Sequence, residues 1–121
     1  AWHSITKPVT ESVKDFEVRV TAKTRLLPSL KETAMSPAFS HIFAGGYASG
    51  YYSYKWAEVL DADAFSLFKK NGIFDKKTAA SFRKHILEKG STVHPMKLYK
   101  RFRGQEPTID ALLKRSGLVD K

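Results

Sequence analysis

The residues best able to do chemistry lie together. His41, the pair Gly45-Gly46, and the tyrosines Tyr47, Tyr51, Tyr52 and Tyr54 all fall between positions 41 and 54. A phenol, with an ordinary pKa of about 10, is a neutral hydrogen-bond donor at pH 7. A row of phenols therefore offers a cleft directed donors without bringing charge into it. At about 100° per residue, Tyr47, Tyr51, Tyr54 and Glu58 share one narrow helical stripe, and Tyr52, Trp56, Val59, Leu60 and Leu67 gather on the other side as a predicted core face. The pattern divides into a loop, Ser40 to Gly46, and a long helix from about Ala48 to Lys70. The residue types alone leave a second use open. A tyrosine stripe also suits a helix–helix seam with its hydroxyls in water, Gly45-Gly46 can be a simple flexible turn, and His41 can be a satisfied structural histidine.

The elements around this stretch read as helices. Residues 1–6 suit the end of a helix. Thr10 is placed to cap a helix from about Glu11 to Leu26, with Val13, Phe16 and Val20 inward and Pro28 after it. Residues 28–38 carry Pro28 and Pro37 and read as a loop. Asn71-Gly72 ends the central helix. Asp75 caps the next, to about Lys89, with Ala79, Phe82 and Ile86 inward and Gly90 at its stop. Pro95 opens a short helix closed by Gly104, its apolar side made of Met96, Tyr99 and Phe102. Pro107-Thr108 opens a last one with Ile109, Leu112 and Leu113 inward and Gly117 at its end. No alternating strand pattern, repeat or low-complexity tract interrupts the series, and no domain boundary is visible. The expectation is an all-α chain of about five helices with one long central helix, a single unit over 1–121.

Composition narrows the function classes. The chain has 121 residues, 42% hydrophobic and 12% aromatic, with no cysteine and a net charge of +9. It is ordinary for a globular protein. Its lack of cysteine excludes disulfides and thiolate metal sites and fits a reducing compartment. No apolar run approaches the roughly 18 residues that cross a bilayer, and no signal peptide is visible at the start, so no membrane partner is expected. Residues 1–68 hold seven basic and seven acidic side chains, and residues 69–121 hold fourteen and five, so the excess lies in the second part. One alternative that follows is a stand-alone basic helical module for nucleic acid or a partner protein, with Arg101 and Arg103 flanking Phe102 as a weak stacking pattern. The other reading makes Lys69-Lys70, Lys76-Lys77, Arg83-Lys84 and Lys114-Arg115 solvated helix faces.

The order His41-Ile-Phe-Ala-Gly45-Gly46-Tyr47-Ala-Ser-Gly50-Tyr51-Tyr52-Ser-Tyr54-Lys-Trp56-Ala-Glu58 closely resembles a signature of the thimet oligopeptidase/oligopeptidase A family of zinc metallopeptidases. The likeness continues through Asp63-Ala-Phe65, Gly72-Ile-Phe74, Phe82-Arg83, Pro95-Met96 and Phe102-Arg103-Gly104 with Glu106-Pro107, and covers nearly all of 39–118. Its wording is most like the bacterial peptidyl-dipeptidase (dipeptidyl carboxypeptidase) branch. Gln105 departs from the family, where many members carry Arg. The resemblance implies a peptidase acting on short peptides, releasing C-terminal dipeptides. It implies Tyr54 as donor to the developing oxyanion, Tyr47 as a second such contact, His41 as a substrate contact, Tyr51 as channel wall, and Gly45 and Gly46 as a loop that adjusts around peptides. Tyr52 and Trp56 are assigned to the core.

The family's zinc is held by a His-Glu-x-x-His helix and a further Glu. This sequence has no such motif among His3, His41, His85 and His94. The expectation is therefore a C-terminal piece of a larger helical catalytic domain, without the zinc motif. The start at Ala1 fits such a piece. On this reading zinc belongs to the parent enzyme, and the piece alone binds none and cleaves no peptide. Its partners are peptide substrates and the N-terminal remainder of the same enzyme, with no nucleic acid and no membrane. Its location is the cytoplasm. Apolar patches left by the missing part would stay exposed or be covered by self-association.

Overall fold

Local hydrogen bonds set the helix boundaries, and they move several of them from where periodicity alone puts them. The computed structural model describes residues 1–119, so the last two positions of the expected 1–121 unit lie outside the described residues. Among the described residues there are five α-helices, short 3-10 turns, one π-helical segment and no β-strand. This is the expected all-α class. The chain divides into two compact units, Ala1–Tyr52 and Ser53–Lys121.

In the first unit α1 is Val13–Thr21. Ser12 rather than Thr10 starts it, because the Ser12 hydroxyl accepts the Asp15 amide at 3.1 Å and donates to the Asp15 carboxylate at 2.7 Å. It ends well before Pro28. Thr21 Oγ1 donates back to the Glu17 carbonyl at 2.6 Å, and the amides of Thr24 and Arg25 both close onto the Thr21 carbonyl, so a turn wins over a further helical turn. Phe16 is buried, with the Trp2 ring 4.0 Å from it, whereas Val13 and Val20 are exposed, contrary to the inward face expected for them. Lys14 and Glu17, one turn apart on α1, hold the loop that follows. Lys14 Nζ donates to the carbonyls of Leu30 and Thr33, each at 2.5 Å. The buried Glu17 carboxylate accepts the amides of Met35 at 3.0 Å and Ser36 at 2.5 Å. Ser36 Oγ in turn accepts the Trp2 indole N–H at 2.6 Å.

In the second unit α2 spans Ser53–Asn71. It begins five residues later than the periodicity predicts. Gly50 and the Gly45-Gly46 pair make the preceding segment a poor helix, each glycine costing about 1 kcal/mol relative to alanine. Asp75 Oδ2 accepts the Thr78 amide at 2.6 Å and starts α3, Lys76–Phe82, which runs on into the π-helical segment Arg83–Leu87. Thr78, not Ala79, is the buried residue there, because Asn71 Nδ2 donates to its hydroxyl at 2.9 Å and turns that face inward. Pro95–Arg103 forms α4, capped by His94 and closed by Gly104 in the left-handed conformation at φ 81°. Asp110–Arg115 forms α5, preceded by Ile109 at the cap position and exposed rather than inward. Helix α2 packs on α3 and α5, and α4 on the π-helical segment. Val59, Ala62, Leu98, Tyr99 and Phe102 are the buried apolar residues of this unit, with the Phe102 ring 5.1 Å from Phe82 and 6.2 Å from Phe68.

Glu17 makes the loop that precedes the tyrosine stretch pH-sensitive. Burial pushes its carboxyl up, but the bonds from Ser36 and Met35 outweigh this and hold it below the ordinary 4.5. A lowered folded-state value contributes stability above the unfolded value, and that contribution is lost as pH falls through the folded one. Hydrogen exchange at the Met35 and Ser36 amides is expected to show protection that is flat above pH 4.5 and declines below it. Glu17→Gln should abolish that pH dependence.

Candidate functional site

Ser40 begins the site with a carbonyl that gathers three amides, those of Phe43 at 2.9 Å, Ala44 at 2.7 Å and Gly45 at 3.2 Å. This tight turn folds Gly45 back over His41. A Cβ at Gly45 would lie 2.9 Å from His41 Cα and 3.1 Å from its carbonyl oxygen, so only a hydrogen fits. Gly46 then reverses the chain at φ 78°, and the Tyr47 amide bonds the His41 carbonyl at 3.2 Å. The two glycines therefore do different work. Gly45 permits close approach and Gly46 a left-handed turn.

The turn brings three of the sequence-predicted site residues together. Ring centroids of His41 and Tyr51 are 5.7 Å apart, of His41 and Tyr47 6.1 Å, and of Tyr47 and Tyr51 6.2 Å. Phe39 completes the cluster, edge-on to Tyr51 at 4.6 Å and 5.7 Å from His41. The sequence reading does not single out Phe39. Its only signal is an aromatic residue two positions before the histidine.

The single helical stripe Tyr47–Tyr51–Tyr54–Glu58 is not formed. Tyr47, Tyr51 and Tyr52 precede α2 in turns, and Tyr54 is the second residue of α2 and belongs to the second unit. Tyr47 and Tyr51 are neighbours across the turn that follows Tyr47, where the Gly50 amide bonds the Tyr47 carbonyl at 3.3 Å, and not across a turn of α2. The core assignments of Tyr52 and Trp56 also fail. Tyr52 is 73% exposed and Trp56 45%, because α2 starts late and seats itself through Val59, Ala62 and Asp63 further along. Trp56, with Leu60, Phe82, Ile86, Met96 and Tyr99, lines a largely apolar cavity of about 530 Å³ within the second unit.

Behind that cavity Asp63 is buried to 2% exposure. Its carboxylate accepts the Tyr99 hydroxyl at 2.6 Å and Arg103 Nε at 3.1 Å. Burial and the bond to Asp63 push the Tyr99 phenol well above its ordinary range, so it stays a donor. Some of the basic residues of the second part are paired. Arg83 bonds Glu88, Lys100 bonds Glu106 and Arg115 bonds Asp61, and the lysines of the doublets are exposed helix faces. Phe102 is buried, which removes the stacking surface between Arg101 and Arg103. Among the described residues no group of three or more His, Cys, Asp or Glu is placed to hold a metal ion. No described helix is long and apolar enough to cross a membrane.

The turn sets one imidazole and two phenol rings beside one another, tilted or edge-on, in a cysteine-free chain of helices and turns. Residues 2–118 match the model of peptidase family M3, and the chain belongs to that family. It is similar to oligopeptidase A of Escherichia coli, 55% identical over 93 residues, which cover 77% of this chain and 14% of that protein. It is also similar to the organellar oligopeptidase A of Arabidopsis thaliana, 50% identical over 113 residues, covering 90% of this chain and 14% of the relative. The dipeptidyl carboxypeptidase of Salmonella typhimurium is 39% identical over 119 residues, covering 97% and 18%. The chain thus spans under a fifth of the length of these relatives.

Gly45→Ala should displace the His41 backbone and cost about 1–3 kcal/mol, the range for forcing a methyl into packed space. Gly50→Ala should be tolerated, because a Cβ there meets nothing within 4 Å and the backbone is not left-handed. Urea unfolding together with the His41 imidazole resonances would check both. Equal effects at the two positions would contradict the close-approach account.

Proposed function

We propose that this chain is the substrate-binding C-terminal part of the catalytic domain of a zinc metallopeptidase that hydrolyses short peptides. The observation that carries the reading is the convergence of His41, Tyr47 and Tyr51 on one turn of a peptidase-family chain. The zinc belongs to residues outside this chain. The partners are peptide substrates and the remainder of the same enzyme, which would cover side chains such as Leu26 and Phe74, each 94% exposed here. The location is the cytoplasm, in keeping with the cysteine-free sequence.

The roles follow from hydrogen-bond chemistry. When water attacks a peptide carbonyl, its oxygen gains negative charge, and a neutral donor aimed at it stabilises the transition state more than the ground state. Tyr54 is the first such donor and Tyr47 the second. His41 donates to the bound substrate, Tyr51 lines the channel beside it, and Gly45 and Gly46 hold the turn that carries them. The wording of the motif favours release of C-terminal dipeptides, whereas the higher identities to oligopeptidases A favour the oligopeptidase mode. Product analysis on one peptide with a free and an amidated C-terminus separates the two, since only dipeptide release requires the terminal carboxylate.

In the full-length enzyme Tyr54→Phe should lower kcat by about 10²–10³, or about 3–4 kcal/mol, with little change in KM. Tyr47→Phe should act in the same direction but less. Tyr52→Phe should stay within a few-fold, because that ring is largely solvent-exposed. Steady-state kinetics on one peptide for all three variants is the measurement. A silent Tyr54→Phe beside a damaging Tyr52→Phe would reverse the assignment. The 121-residue chain by itself should bind no zinc tightly and show no turnover. One equivalent of zinc by metal analysis, with peptide cleavage above background, would overturn the placement of the metal elsewhere.

A further inference from the structure

We propose that Asp63, Tyr99 and Arg103 form a polar clamp that fixes the rotation of α2 about its axis and so aims the Tyr54 hydroxyl. The inference rests on the reading of Tyr54 given above. These are positioning residues: they act through α2 and not on the substrate.

The clamp joins α4 to α2 through directed bonds. Tyr99 Oη donates to Asp63 Oδ2 at 2.6 Å. Arg103 Nε donates to the same oxygen at 3.1 Å and to the Asp63 carbonyl at 3.2 Å. Arg103 Nη2 donates to Ser66 Oγ at 3.1 Å, and Ser66 Oγ donates to the Asp63 carbonyl at 2.7 Å. Arg103 thus grips two successive positions of the buried face of α2, one turn apart.

The apolar part of that face cannot do this. The other buried residues of α2 are Val59 and Ala62, small side chains whose non-directional contacts tolerate rotation, and Phe68 adds ring contacts of the same non-directional kind. Directed bonds elsewhere on α2 include the exposed Asp61–Arg115 pair and the Asn71–Thr78 bond at its last residue. A buried carboxylate tolerates none, because any rotation that breaks its bonds leaves a charge unpaired out of water. Tyr54 precedes Asp63 by nine residues. At about 100° and 1.5 Å per residue it lies on the opposite side of the helix, about 13 Å nearer the N-terminus. The first turn of α2, where Tyr54 sits, holds none of its buried residues. The helix carries the azimuth set at Asp63 out to Tyr54. A phenol oxygen about 8 Å off the axis moves about 1.4 Å for a rotation of about 10°, enough to spoil a hydrogen bond to a developing oxyanion.

Two measurements on the full-length enzyme test this. The first is a double-mutant cycle in kcat between Tyr99→Phe and Tyr54→Phe. Tyr99→Phe keeps the Arg103 pair, so the fold survives, and Arg103→Lys is a second variant that keeps the charge but loses the planar fork. Each should lower kcat by about 3- to 10-fold with KM within about two-fold, and by less than about two-fold once Tyr54 is already Phe. The second is the ¹⁹F resonance of 3-fluorotyrosine at position 54, with a label at position 52 reporting general loosening. The clamp variants should shift or broaden the line at 54 and not that at 52. An unchanged line at 54, or kcat losses equal in both backgrounds, overturns the clamp. A shifted line with Tyr54→Phe itself silent leaves the clamp standing and overturns the catalytic reading of Tyr54.

Discussion

Taking the Asp63 carboxylate out of water costs several kcal/mol, and the helices of the second unit are arranged so that this cost is met. Tyr99 and Arg103 lie four apart on α4, one above the other on a single helical face, and both reach the same carboxylate. Helix α4 therefore has one acceptable register against α2. Gly104, immediately after Arg103, ends α4. The apolar contacts of Leu98 and Phe102 add burial around this pairing without dictating its geometry. Removing Arg103 would leave an uncompensated buried charge, a far larger effect than losing an exposed ion pair such as Lys55–Glu58.

The first unit applies the same logic on a smaller scale. Glu17 is buried because two backbone amides of the following loop need an acceptor, and Lys14 one turn away supplies a donor to two carbonyls of the same loop. The loop is polar-anchored in place of being packed, which is why Leu26, Leu27 and Leu30 can stay exposed along it. It delivers the chain to Phe39 and the Ser40 turn. There the constraint becomes steric: the hydrogen of Gly45 lies where any side chain would strike His41.

Function on this reading belongs to neutral groups. Arg83, Lys100, Arg103 and Arg115 are paired and the lysine doublets lie on exposed helix faces, while the clustered rings carry hydroxyls and an imidazole. The chain spans 14–18% of the relatives reported above, and its exposed apolar side chains are of the kind a larger protein covers.

By itself the sequence determined the helical class, the caps at Asp75 and Gly104, and the buried ring of Phe102. Each depends on a local or strongly periodic signal: a carboxylate three residues before an open amide, a glycine where the left-handed region is needed, an aromatic residue on a narrow apolar side. Tertiary structure decided where α2 begins, and so which tyrosines share a surface. Helical spacing placed Tyr47, Tyr51 and Tyr54 on one stripe, but glycines at 45, 46 and 50 weaken a helix there, and the amide of Tyr47 went to His41. Tertiary structure also decided the burial of Asp63 and Glu17. Nothing in composition marks a carboxylate as buried, because what makes burial tolerable is a donor 36 residues away for Asp63 and 18 or 19 away for Glu17. Trp56 and Tyr52 stay exposed for the converse reason: an apolar face becomes core only where another element arrives to cover it.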